Sequence, residues 1–292
     1  MTYKRVSIIL PNYNHAPYLK ERLDSIFNQT YQDFEVIILD DASTDNSLEV
    51  LNQYKNHVKV SHFIVNSKNT GSPFKQWKKG LELAKGKYTW IAESDDSCKL
   101  NFLESQLDAL QNFEVAVSKV CIQKNNIITK TEIQHSAFLE KDNIKLEASN
   151  FSFNCPITNV SSIIFERIEE NKLKKSTFQN YGIIGDIVFY YEFFKNRNII
   201  FNRDTVNYYR QDIGSLSLLD NRSVTYYKRY YSEHLKLINL LYYNEKDITT
   251  AIRKKYITRQ FNKVRNRVIK KKKLTLTYLS IFLKYKYHLL IS

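Results

Sequence analysis

The sequence predicts an α/β fold: a Rossmann-like, mostly parallel sheet flanked by helices, followed by a helical C-terminal extension. Short apolar runs alternate with helical patterns over roughly the first 120 residues. The links between them are short, which implies right-handed crossovers joining parallel strands. Beyond about residue 217 the apolar positions change to helical spacing, with Lys and Arg filling the other face. A chain of 292 residues has room for one large α/β domain and a smaller appendage.

The elements follow in order. Val6 to Leu10 is a buried-strand run, and a helix is expected from about Pro17 to Phe27, where proline suits a first turn. Phe34 to Asp40 is the second strand. Ser43 or Thr44 can cap a helix continuing to Tyr54. Val58 to Val65 is the third strand, Phe74 to Lys85 the third helix and Tyr88 to Ala92 the fourth strand. From Phe113 to about Ser217 the pattern mixes short strands and loops. In the tail, Ile252, Tyr256, Ile257, Phe261, Val264 and Val268 recur at helical spacing. Those positions can enter a membrane interface or pack on the sheet domain, and the pattern does not choose.

The formal charge of +14 is concentrated at one end. Residues 221–292 hold 18 Lys and Arg against Glu233, Glu245 and Asp247, whereas the first 220 residues carry 26 basic and 27 acidic groups. Any anionic surface is therefore met through the tail. Cys98, Cys121 and Cys155 lie far apart without a CxxC pair, which argues against a zinc ribbon or disulfide framework and suits a reducing compartment. The N-terminus runs straight into a strand pattern without a charged-then-apolar leader, and no uncharged apolar run reaches transmembrane length. The expectation is a cytoplasmic protein. Abundant Lys, Asn, Ile and Tyr point to an AT-rich bacterial genome.

In open parallel sheets, ligands bind beyond the carboxyl ends of the strands. Those ends carry Pro11-Asn12-Tyr13-Asn14, Asp40-Asp41-Ala42-Ser43-Thr44-Asp45 and Glu93-Ser94-Asp95-Asp96. Two acidic clusters on one edge repel each other unless a cation or hydrogen-bond donors neutralise them. Asp45 reads as a helix cap. Asp95-Asp96, directly after a buried strand, suits a hard divalent cation, Mg2+ or Mn2+, that also binds substrate phosphates.

The stretch from Val6 to Ser47 resembles the opening of the family-2 inverting glycosyltransferases, which have a GT-A fold. Asn69-Thr70-Gly71, Ala84-Lys85-Gly86 and Glu93-Ser94-Asp95-Asp96 continue that family's pattern in order. Gly185 to Phe193 and Asn207 to Ser217 resemble its catalytic-base helix and a later Arg-containing loop. The resemblance implies a GT-A domain over residues 1–217, divided into a nucleotide-binding half (1–112) and an acceptor half (113–217). The basic helical region, 218–292, is unmatched. The implied activity is transfer of a sugar, with inversion, from a nucleotide-sugar, a UDP-sugar by expectation, to the hydroxyl of a glycan or lipid-linked acceptor in bacterial surface-polysaccharide synthesis.

The resemblance also implies residue roles. Pro11 and Tyr13 would line the base, Asp41 would accept a hydrogen bond from it, and Asp95 would lie near the ribose. Asp96 would bind the metal bridging the diphosphate, Asp186 would be the general base, and Arg210 would contact the leaving diphosphate. Three departures stand out: Glu93 replaces Asp in the metal motif, the loop after Asn69 is one residue longer, and Asp212 stands where many members carry His. Asp212 can replace that ligand or abolish the contact.

Other candidates have plainer readings. His15, His57, His62, His135, His234 and His288 lack paired-ligand spacing and read as surface or packing residues. Cys98 reads as a small residue near the site. Trp77 and Trp90 offer ring faces to a sugar, with core packing preferred for Trp90. The run Lys270 to Lys273, with Tyr278, Phe282, Tyr285 and Tyr287, raises an anionic membrane surface as a partner, and a homo-oligomer is the other use of such a tail. Alternatives are a sugar-nucleotide nucleotidyltransferase, which lacks its Gly-rich phosphate loop here, and an inactive module binding nucleotide or nucleic acid. Nucleic acid is not expected, because the first 220 residues carry no net positive charge.

Overall fold

The computed structural model describes residues 5–124, 127–132, 141–153, 155–211, 222–268 and 270–291. Strand β1 (Val6–Asn12) is buried at every position, as its apolar run requires of a strand covered on both faces. Helix α1 (Ala16–Phe27), strand β2 (Phe34–Asp40), helix α2 (Ser47–Asn52), strand β3 (Val60–Val65), helix α3 (Pro73–Leu83) and strand β4 (Tyr88–Ile91) follow. Pro17 and Pro73 sit in the first turns of α1 and α3, where a missing N–H costs nothing. Helix α2 is shorter than expected and is entered through Asn46. Ser43 does not cap it, because its hydroxyl donates to Asp40 at 2.6 Å.

After β4 come the two-residue β5 (Ser97–Cys98), α4 (Phe102–Ala109), β6 (Val115–Lys124), β7 (Ile127–Glu132), β8 (Asn143–Lys145) and α5 (Ala148–Phe153). Then follow β9 (Ile163–Glu166), α6 (Glu170–Lys175), α7 (Gly185–Phe194) and β10 (Asn198–Arg210). The chain continues through α8 (Val224–Asn244), α9 (Thr250–Arg267) and α10 (Leu276–Leu290).

The strands form one sheet in the order β3-β2-β1-β4-β9-β6-β10-β5, with β7 beside β6 and β8 beside β10. The pairings β3–β2, β2–β1, β1–β4 and β6–β10 are parallel, and β9 runs antiparallel between β4 and β6. A register shift between Asn202 and Val206 lets the long β10 continue to β5, where Asn207 pairs with Cys98. That irregularity brings the end of β10 to the turn after β4.

Because successive strand side chains alternate faces, β1 feeds two cores. Ile8 and Leu10 join α1 and α4 on one face, and Ile9 joins α3 and α7 on the other. The second cluster continues without a break through Tyr231, Leu237, Ile238 and Leu241 of α8 into α9 and α10. Ile257, Phe261 and Val264 belong to it, so the apolar stripe of α9 packs inward. Tyr285 of α10 stacks on Phe261, ring centroids 4.1 Å apart and 3° from parallel. The other side of α10 exposes Leu276, Leu279, Leu283, Tyr287 and Leu290.

Candidate active site

The loops after β1 and β2 lock together. Asn12 donates through Nδ2 to Asp40 (2.8 Å) and Ser43 (3.1 Å), and the Asp41 amide donates to the Asn12 carbonyl (2.9 Å). Asn14 and Ala42 both adopt left-handed backbone, φ 56° and 60°. Asn14 is suited to this because its side-chain oxygen accepts the amides of Thr44 and Asp45. Ala42 has no such compensation, and strain of this kind collects at binding sites. Asp45 accepts from the amides of Ser47 and Ala16, 2.9 Å each, and so ties together the first residues of α2 and α1, whose N-cap positions are Asn46 and His15 rather than Asp45.

Pro11 is buried in β1 opposite Leu39, beyond the last pairing with β4. Tyr13 is 43% exposed and leaves its ring open to a ligand. Asp41 is buried and receives Asn66 Nδ2 (2.7 Å), the Thr70 amide (3.0 Å), the Thr70 hydroxyl (2.7 Å) and Gln76 Nε2 (2.8 Å). Those four donors fill about as many lone-pair sites as a carboxylate has, and they fix the loop holding Asn69-Thr70-Gly71.

The turn after β4 concentrates negative charge. The Glu93 carboxyl is pushed up to about 8, first by burial and then by Asp95 and Asp96, while Trp77 Nε1 donates to it at 2.8 Å. Asp96 is 1% exposed and pushed up to about 6 by burial and Asp95, with Arg22 opposing. Its oxygens accept from Asn159 Nδ2 (3.0 Å) and the Arg210 amide (3.1 Å). The Asp95 carboxylate is partly exposed and takes no hydrogen bond from the described residues. Arg210 is 2% exposed: Nε donates to the Asp95 carbonyl (2.9 Å), Nη2 meets Glu21 (2.7 Å), and the guanidinium lies 4.3 Å from the Tyr18 ring centroid. It ties α1 to the acidic turn. Asp212 lies outside the described residues.

No group of three or more His, Cys, Asp and Glu side chains forms a metal cage among the described residues. Hard, mutually repelling oxygens nevertheless fit a cation held by one or two carboxylates and completed by phosphate oxygens.

Asp186 opens α7, where burial pushes its carboxyl up to about 6. It lines a cavity of about 310 Å³ between α7 and the C-terminal helices. The start of α7 is held from α8: Glu233 accepts the amides of Gly182 (2.9 Å), Ile183 (2.9 Å) and Ile184 (3.2 Å). Gly185 is needed because a Cβ there would meet the Phe74 ring at 2.4 Å.

Several of these residues escaped the sequence reading. Glu21, which lies in the family-like opening but carries no implied role, and Asn159 and Glu233, which belong to no motif, act across distant parts of the chain. Trp77 and Trp90 are both buried in the core, so neither presents a face to a sugar; Trp90 Nε1 donates to the Ser161 carbonyl at 2.8 Å. Cys98 is buried, with its thiol pushed up to about 11 by burial. His234 is buried beside the cavity.

A mixed sheet whose first four strands run parallel, with an acidic turn after the fourth and a flanking helix that opens on a carboxyl group, is the arrangement of a GT-A fold. The glycosyl transferase family 2 model matches residues 7–181, and the chain belongs to that family. It is similar to the glycosyltransferase GlyG of Streptococcus pneumoniae serotype 4, 36% identical over 115 residues, which are 38% of this chain and 37% of that protein. A Staphylococcus aureus protein named poly(ribitol-phosphate) beta-N-acetylglucosaminyltransferase TarP is 28% identical over 239 residues, 73% of this chain and 71% of TarP. The fold also matches S. aureus TarS 1-349 solved with UDP-GlcNAc: TM-score 0.67, 18% identity, 98% of this chain and 81% of that one.

Proposed function

We propose that the protein transfers a sugar from a UDP-sugar to an acceptor hydroxyl, with inversion, during synthesis of a bacterial surface polymer. The observation that carries this is the facing pair of acidic features: the β4 turn with Glu93, Asp95 and Asp96, and Asp186 at the start of α7. Burial raises the Glu93 carboxyl most, followed by the charges of Asp95 and Asp96, and Asp186 is near enough to add to them. The TarS structure solved in complex with UDP-GlcNAc supports UDP as the nucleotide.

In this reading Tyr13 stacks on the base, and Pro11 and the Asp41-held loop shape its pocket. Asp95 and Asp96 are the residues that would hold a Mn2+ or Mg2+ ion. The geometry favours Asp95 as direct ligand, because Asp96 already accepts from Asn159 and Arg210 and braces the turn. A bound cation would stabilise charge on the leaving diphosphate. Arg210 positions Asp95 through its carbonyl rather than meeting phosphate, given its commitment to Glu21. The acceptor oxygen attacks the anomeric carbon as the bond to the diphosphate breaks, and its proton passes to Asp186. A carboxyl group with its affinity for protons near neutrality suits that transfer.

Thermal melting of the full chain with UDP, UDP-sugars and other nucleotides, with Mn2+ or EDTA, tests the donor side. UDP with Mn2+ should raise the melting temperature most, and Asp95→Ala should erase the Mn2+-dependent part. Equal stabilisation by all nucleotides, with no effect of EDTA, would overturn the reading.

A further inference from the structure

The cavity beside Asp186 is built for more than an alcohol. Arg259 and Lys263 of α9 and His234 of α8 line it together with Asp186. Neither Arg259 nor Lys263 forms an ion pair with a described carboxylate. Arg259 donates to the Phe153 carbonyl at 3.0 Å, which leaves its charge uncompensated. Burial, Arg259 and Arg267 hold the Lys263 ammonium below its ordinary range. Lys263 is half-buried and Arg259 is exposed at the rim of the cavity; like charges held together repel each other, and an anion relieves that repulsion.

His234 supplies an independent observation. It is 4% exposed, its Nδ1 is bonded to the Tyr256 hydroxyl, and its Nε2 has no partner. Burial and the nearby Lys263 and Arg259 push its protonation far down, to about 3, so the ring is neutral. In the tautomer in which Tyr256 donates to Nδ1, the proton sits on Nε2, and a buried donor without an acceptor costs about 1–3 kcal/mol. An oxyanion satisfies it, whereas a neutral sugar leaves Arg259 and Lys263 uncompensated.

We propose that this cavity binds an anionic group of the acceptor, a phosphate or a carboxylate, so that a hydroxyl of the same molecule reaches Asp186. Lys263 and Arg259 supply the charge and His234 a neutral N–H. The proposal rests on Asp186 being the base, and it assigns the acceptor's chemical class to that site.

Calorimetric titration of the full chain with sn-glycerol 3-phosphate, inorganic phosphate and glucuronate, against neutral glycerol and glucose, tests it. At least one anion should bind, the phosphates and glucuronate reporting separately which anionic class is held, and the neutral compounds should not. Arg259→Gln/Lys263→Gln should weaken anion binding tenfold or more while UDP affinity stays within twofold. Lys263→Gln alone gives the same reading if the double variant melts early. Unchanged anion affinity in folded variants, or equal binding of glycerol and glycerol 3-phosphate, would overturn the proposal. Failure of the base assignment shows separately, as an Asp186→Asn enzyme with unchanged turnover.

Discussion

A carboxyl group pushed by burial up to about 6 changes its charge near neutral pH, and Asp186 is such a group. A base works only when deprotonated. Turnover at saturating donor should therefore fall about tenfold per unit as pH drops below 6 and level off above it. Asp186→Asn should lose about a hundredfold or more in kcat, keep its UDP affinity and lose that acidic limb; a pH–rate profile of both proteins checks all three. Its neighbour Asp96 should behave differently. Asp96→Ala strips an acceptor from Asn159 and from the Arg210 amide in a buried place, so it should lower the melting temperature as well as activity, whereas Asp95→Ala should spare the fold. Differential scanning calorimetry separates the two. Asp41, Asp95 and Asp96 were legible as candidates in the sequence because motif and strand end coincide, and Asp186 only because its helix resembles the family's base helix. Glu21, Asn159 and His234 were not, since what they do depends on partners far along the chain: 189 residues separate Glu21 from Arg210.

At the scale of elements, the alternation of apolar runs and helical spacing located β1 to β4 and α1 to α3 to within a few residues. Helix α2 was misread at both ends because Ser43 had a stronger use than capping, a bond to a buried carboxylate. The pattern after Phe113 did not show how β9 enters between β4 and β6, since an antiparallel strand of four residues has no signature of its own. Nor did it show that α8 carries the clasp for α7. Glu233 gathers three backbone amides that would otherwise lack acceptors at the entrance to the helix bearing Asp186. Glu233→Ala should cost about 2–4 kcal/mol of stability and reduce kcat more than it changes donor affinity. Urea denaturation and steady-state kinetics would show this, and Glu233→Gln, which keeps an acceptor oxygen, should fall between.

At the scale of the molecule, the tail combines two fates that its sequence left open. Helix α9 turns its apolar stripe into the shared core, while α10 keeps an apolar side in solvent beside Lys284 and Lys286. No helix among the described residues is long and apolar enough to cross a membrane. A basic helix with an open apolar side suits an anionic bilayer surface, where each Lys or Arg contributes about 1 kcal/mol. We expect the protein to float with liposomes containing anionic lipid and not with neutral ones. Binding should fade with salt, because exposed charges are screened over about 10 Å at 0.1 M. Leu279→Glu/Leu283→Glu should abolish flotation without altering UDP binding. Unchanged flotation of that variant would remove α10 from the interaction.

The Glu233 clasp also sets a schedule. A ribosome delivers the sheet and its nucleotide edge first, at about 5–20 residues per second, and the chain behind them begins to fold as it emerges. Asp186 is then already outside, yet the residue that fixes its helix entrance lies 51 positions beyond Gly182. On the proposed roles, a nascent chain would acquire its donor pocket before its base is in place and would become competent for transfer once α8 has docked. Synthesis from the N-terminus would then leave completion of the site to a helix that emerges after the sheet.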